Sequence, residues 1–129
     1  MRGPIGFVLG VLLGAGFTAG VAQQKVQDST IVDPDVHKVI LENEHVRVLD
    51  ARIGPGWKSP MHSHPPMLLV SLKAGRFRIT GLDGKPQILD FNPGMVIWRE
   101  ATEHSWEMLS GDAHVIAIEV KSANKAGSK

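Results

Sequence analysis

The amino-acid sequence predicts an all-β domain, a jelly-roll-like barrel of about eight short strands. Two observations carry this reading. Segments rich in Val, Ile, Leu, Phe and Trp recur at an even spacing, separated by clusters of Gly, Pro, Asn and Asp suited to reversing the chain. No stretch between them has the length and 3.6-residue periodicity of a helix. The expected strands are HKVIL (37–41), HVRVLDARI (45–53), MLLVSLK (67–73), RFRIT (76–80), PQILDF (86–91), MVIWRE (95–100), HSWEML (104–109) and AHVIAIEVK (113–121). The turns between them are expected at Asn43-Glu44, Gly54-Pro55-Gly56, Ala74-Gly75, Asp83-Gly84, Asn92-Pro93-Gly94 and Gly111-Asp112.

The chain has 129 residues, of which 43% are apolar and 21% charged, a composition suited to one ordered domain, placed at 37–121. Residues 1–22 carry one Arg, an uncharged apolar run and small residues at Gly20 and Ala22, the layout of a signal peptide cut after Ala22. That predicts a periplasmic or secreted protein. An uncleaved membrane anchor is the alternative, and contact with a membrane is expected only in that case. The GAGFTAG run at 14–20 imitates a dinucleotide-binding loop, but no βαβ unit follows it. Residues 23–36 read as a flexible lead and 122–129 as a disordered tail.

Without residues 1–22 the acidic and basic residues balance, which excludes a nucleic-acid partner by charge. The chain has no cysteine, so disulfides, thiolate metal sites and cysteine nucleophiles are excluded together. Chemistry must come from other side chains, and the histidines stand out. In PMHSHPPMLLV (60–70), His62 and His64 are spaced i, i+2, which places both imidazoles on one face of a strand, where they can share a cation. Six histidines in 129 residues give about a quarter of such a pair by chance, so the spacing needs context. His104 supplies it, on a strand about forty residues later, with Trp106 and Met108 on its face. If the phase of His62 and His64 runs on through Pro65 and Pro66, then Leu68, Val70 and Leu72 also look inward. The expected pocket is therefore Leu68, Val70, Trp106 and Met108, an apolar wall beside the histidines.

These residues resemble the cupin superfamily, whose fold is a double-stranded β-helix. Its first motif, G(x)5HxH(x)3,4E(x)6G, is matched by Gly56, His62, His64 and Gly75, with Leu68 at the position of the glutamate. Its second, G(x)5PxG(x)2H(x)3N, is matched by His104 and loosely by Pro93-Gly94; Arg99, Ala101 and Met108 stand at the second proline, second glycine and asparagine. More narrowly, ILENEHVRVLDARIGPGWKSPMHSHP is similar to the small single-domain cupins labelled BauB-like β-alanine degradation proteins. The resemblance implies a divalent transition metal held by His62, His64 and His104, with iron the first expectation and zinc, manganese, nickel or copper the alternatives. It implies a small-molecule ligand, and three-histidine iron cupins such as cysteine dioxygenase and acetylacetone dioxygenase suggest dioxygenase-like chemistry. A periplasmic module that holds a metal or small ligand without turning it over is a second reading, and a purely structural barrel with an apolar cavity is a third.

Three neutral imidazoles leave the charge of a divalent ion uncompensated, which favours an anionic or enolate-forming ligand. A Glu at Leu68 should then tighten metal binding if that side chain faces the ion. Glu100 and Glu103 lie near His104 but out of phase with it or beyond a turn. Arg76 and Arg78 read as outward residues, with Phe77 and Ile79 inward. His37, His45 and His114 each begin a strand and read as half-exposed surface histidines. Trp57 and Trp98 are expected in the core or at a subunit interface, and an exposed sheet edge suggests a homodimer.

Overall fold

The computed structural model describes residues 24–122; residues 1–23, which hold the expected signal or anchor segment, and residues 123–129 of the expected tail lie outside the described residues. A single turn of helix, α1 (Ser29–Val32), precedes seven strands: β1 (His37–Glu42), β2 (Val46–Ile53), β3 (Lys58–His64), β4 (Met67–Gly81), β5 (Pro86–Phe91), β6 (Val96–Arg99) and β7 (Thr102–Val120). All pair antiparallel, along the path β1-β2-β7-β4-β5, with β3 added to β7 and β6 added to β4.

The long strands β4 and β7 organise the barrel. They pair from Met67↔Glu119 at one end to Gly81↔His104 at the other, and each changes partner along its length. The first part of β4 takes β6 and its last part takes β5, while β7 takes β3 near its start and β2 near its end. Each therefore replaces two of the strands expected from sequence. The glycines expected to make turns at Ala74-Gly75 and Gly111-Asp112 instead bend continuous strands, and the register slips nearby, between Ser71 and Lys73 and between Lys73 and Gly75. Close approach is the physical reason for glycine here. A Cβ on Gly75 would lie 2.7 Å from that of Ala113, and Gly111, at φ +96°, has Ala74 O 2.8 Å from where its Cβ would stand.

Strand β3 carries the His62 and His64 pair as expected, but the sequence does not mark its bounds, because Pro60 and the Pro65-Pro66 pair break its alternation. It pairs with β7 alone, and an edge position tolerates proline. The segment expected as a lead makes defined contacts. Asp28 caps α1 by accepting from Thr30 N–H at 2.9 Å, and Ser63 N–H donates to Gln27 O at 2.8 Å, fixing this segment against β3.

The core lies between the strands, where Phe77 meets Phe91 and Trp106 edge-on at centroid distances of 5.1 and 5.7 Å. Val36, Met108 and Val115 complete this packing. Arg76 and Arg78 point outward to Asp90 and Glu107, as their phase predicts. Trp57 and Trp98 do not enter the core; they are 41% and 50% exposed.

Candidate metal centre

Strand β3 presents His62 and His64 inward, and β7 brings His104 opposite His62 in register. The three expected histidines thus meet, with ring centroids 4.9 Å apart for His62 and His64, 4.8 Å for His62 and His104, and 5.4 Å for His64 and His104. All three are buried. The structure adds a fourth ring. His37 is only 7% exposed, not a surface residue, and its centroid lies 5.0 Å from His62 and 5.2 Å from His64. One ring nitrogen from each of His37, His62 and His64 falls within a mutual 4.8 Å, and His104 stands just outside this compact trio.

The tautomers follow from the partners. His62 Nδ1 is 2.7 Å from Pro60 O, and His37 Nδ1 is 3.2 Å from Asp33 O. A carbonyl can only accept, so both Nδ1 atoms carry the proton. His64 Nδ1 likewise donates to Glu119 Oε1 at 2.7 Å. Each of the three rings is therefore pinned through Nδ1 and leaves the Nε2 lone pair free, the arrangement that outer partners impose on metal-binding histidines. His62 Nε2 and His104 Nδ1 are buried and have no hydrogen-bond partner, an unfavourable condition that an electron-pair acceptor would relieve.

Electrostatics favour the same form. Burial, reinforced by neighbouring histidines, lowers the pKa of His37 to about 4 and of His104 to about 3. Burial likewise takes His62 to about 4, despite the opposing hydrogen bond to Pro60. At neutral pH these rings are uncharged and ready to donate to a cation.

Glu119 was not anticipated. It is fully buried on β7, and its burial, which would raise its pKa, is outweighed by hydrogen bonds from His64 and Arg47 that hold it below the usual value. Arg47 continues to Asp28 at 2.7 Å. The sequence signal was present in Ala113, Val115, Ala117 and Glu119, an alternating inward series whose last member is acidic.

Beside the histidines lies an apolar cavity whose wall includes Met67, Leu69, Phe77, Ile97 and Trp106, together with His37, His64 and His104. Trp106 is where the sequence placed it. Met108 is buried, but in the packed core and outside this wall. Leu68 and Val70 are also absent from the wall, and Leu72 is 46% exposed, because the chain changes phase across Pro65-Pro66; Met67 and Leu69 look inward instead. Leu68 stands between Trp98 and Ile118 in the sheet register. Arg99 is the one basic residue other than histidine in the wall, and among the described residues it forms no ion pair. With Ile79 and His104 it also borders a surface depression beside the turn after β4, so these side chains mark the cavity mouth. Of the other histidines, His45 is exposed and His114 is half-buried against Asp50.

Solved structures share this architecture. A cupin domain from Bordetella pertussis Tohama I is 22% identical, with a TM-score of 0.62 over 78% of this chain and all of that one (100%). An RmlC-like cupin with a double-stranded β-helix from Methanocaldococcus jannaschii is 16% identical, with a TM-score of 0.52 over 66% of this chain and 78% of that one. KdgF from Halomonas sp. is 19% identical, with a TM-score of 0.51 over 78% of this chain and 89% of that one. No family model and no curated protein matches the sequence. The chain has the cupin fold, and inside it a buried cluster of histidines with the donor chemistry to hold a divalent metal.

Proposed function

We propose that this chain is an exported cupin that binds one divalent transition metal, iron foremost, through His62, His64 and His104, and takes a small anionic or dicarbonyl ligand in the adjoining cavity. The observation that carries the reading is the pair of buried, unpartnered ring nitrogens, His62 Nε2 and His104 Nδ1, on two rings whose lowered pKa values keep them neutral. Bound there, a divalent ion would act as a Lewis acid toward an oxygen-donor ligand, and iron would add dioxygenase-like chemistry. The chain's own contribution is to orient and to exclude water. Arg99 at the mouth receives the negative charge of the ligand, while Met67, Leu69 and Trp106 surround its apolar body.

The second reading, a module that holds its ligand without turning it over, is favoured by one observation. Among the described residues the cavity wall contains no carboxylate, so beyond the histidines themselves no side-chain base stands ready for proton transfer. Export through residues 1–22 to the periplasm or beyond belongs to the proposal on the strength of that segment's sequence. So does a homodimer, supported by Val39, Ile40 and Leu41, all exposed on the edge strand β1.

The test is metal content of the protein purified without a histidine tag and reconstituted with iron, zinc, manganese, nickel or copper. Stoichiometric metal in the wild type and its loss in His62→Ala is the expected result. Equal, negligible metal in both would defeat the enzyme and binding readings together. Oxygen consumption with small dicarbonyl substrates then separates turnover from holding, and Arg99→Ala should raise the KM or Kd of an anionic ligand.

A further inference from the structure

We infer that His37 is a further ligand of the metal, entering from β1 to take up coordination that a carboxylate from β4 would otherwise supply. The inference rests on the metal-binding reading above and extends it. Leu68, at the sequence position where an acid is absent, is not part of the cavity wall that its neighbours Met67 and Leu69 line, and pairs with Trp98 in the sheet register. His37 reaches the cluster from a different element. Its strand pairs with β2 in the register His37↔Ala51, and both residues line the cavity wall.

Three features show a side chain built to face the cluster. The ring is buried, and one of its nitrogens shares the 4.8 Å group with His62 and His64. Its Nδ1–H is committed to Asp33 O, so Nε2 is its only free lone pair. Asp33 is itself fixed: its N–H donates to Ser29 O at 2.9 Å, its carboxylate accepts from Trp57 Nε1 at 3.2 Å, and its carbonyl also accepts the His37 N–H at 3.0 Å. A histidine that was merely packed would not need this degree of orientation. The rings are arranged with His62 and His64 at the centre and His37 and His104 flanking them, since each flanking ring contacts both central ones.

The consequence is an all-imidazole, uncharged ligand set. Such a set suits the nitrogen-preferring ions zinc, copper, nickel and iron over oxygen-preferring manganese, and leaves the ion's positive charge for an anionic ligand to meet.

The experiment measures affinity and ligand number together. Wild type, His37→Ala, His37→Gln and the outlying His114→Ala are loaded with copper(II) or zinc(II) alone. Dissociation constants come from competition with a chelator, and coordinated imidazoles are counted by pulsed electron paramagnetic resonance for copper and X-ray absorption for zinc. Both His37 variants should lose one imidazole and bind at least about tenfold more weakly, since even outer-shell partners are worth about 10–100-fold. His114→Ala should match wild type. His37→Gln retains a side chain of similar length with a hydrogen-bonding end, so its agreement with His37→Ala separates ligand loss from misfolding. An unchanged imidazole count and affinity in a folded His37 variant overturns the inference while leaving metal binding by the other histidines intact. Failure of the wild type to bind either ion overturns both.

Discussion

Replacing Glu119 by Ala should destabilise the metal-free protein by about 2–3 kcal/mol. The carboxylate side chain is 1% exposed and joins two donors, His64 Nδ1–H at 2.7 Å and the Arg47 guanidinium. Breaking a fully buried ion pair by removing one partner costs about 3–5 kcal/mol, because the other charge is left without compensation. Arg47 is less constrained than that limit assumes. Its side chain is 18% exposed and keeps Asp28 at 2.7 Å, so it regains some hydration, and the lower figure follows. The His64 N–H, in contrast, loses its acceptor in a buried position. Urea unfolding of apoprotein at pH 7 measures the loss, and the Glu119→Ala, Arg47→Ala and double variants form a cycle that isolates the coupling. Agreement of Glu119→Ala with wild type within about 0.5 kcal/mol, or strictly additive single changes, would refute the account. Metal affinity gives a second readout. Release of the His64 ring should weaken binding about 10–100-fold, and loss of stability without loss of affinity would make Glu119 a structural ion pair alone.

Acid should weaken the apoprotein before its carboxylates titrate. His37 and His62 have folded pKa values of about 4 against an ordinary 6.5, so below pH 6.5 the unfolded chain takes up protons that the folded one refuses. Stability is full above that point and falls as pH drops toward 4, by roughly 3 kcal/mol for one such ring at about 1.4 kcal/mol per pH unit. Glu119 and Asp28, whose pKa values are lowered from 4.5 and from 3.8, add to the loss only below those values, so a flat unfolding midpoint between pH 7 and 4.5 would contradict the buried neutral rings. Leu68→Glu should leave the metal dissociation constant unchanged, reversing the expectation from sequence, because the side chain is not part of the cavity wall; tighter binding by titration would show otherwise. Gly75→Ala should destabilise by about 1–3 kcal/mol through overpacking against Ala113, Met108 and Phe77, read as a lowered Tm with the β-sheet circular dichroism retained.

How much of this was legible in the sequence depended on how local each signal is. Alternation and turn chemistry located the β-rich segments, but glycine has the same appearance at a turn and at a bend. Gly75 and Gly111 could therefore not reveal that β4 and β7 are continuous. The His62 and His64 pair was legible because two residues of spacing suffice to align them. Phase carried from them across two prolines was not, and it exchanged Leu68 and Val70 for Met67 and Leu69. His37 left no periodic trace at all. Its in-phase neighbours Val39 and Leu41 are exposed, and the β1 register slips between them, so the strand turns a buried face only at its first residue. The His37 ring is held by the Asp33 carbonyl and packs against His62 and His64 from another strand, contacts that the alternation of β1 does not encode.

The segment around α1 also bears on how this cluster can hold a cation. Among the described residues no carboxylate lines the cavity, yet Glu119 lies one imidazole away from it, followed outward by Arg47 and then Asp28. The signs alternate, and this row carries one negative charge in net, placed nearest the cluster where it can offset an ion. Its outermost member belongs to the same run of chain that orients His37 through Asp33, and Asp28 pairs across to Ser63, the residue between His62 and His64. Residues 27–36 are thus part of the site's support. The acid that is absent at Leu68 has a counterpart on β7, hydrogen-bonded to the Nδ1 of His64. There it can raise that ring's basicity without occupying a coordination position that a ligand would need.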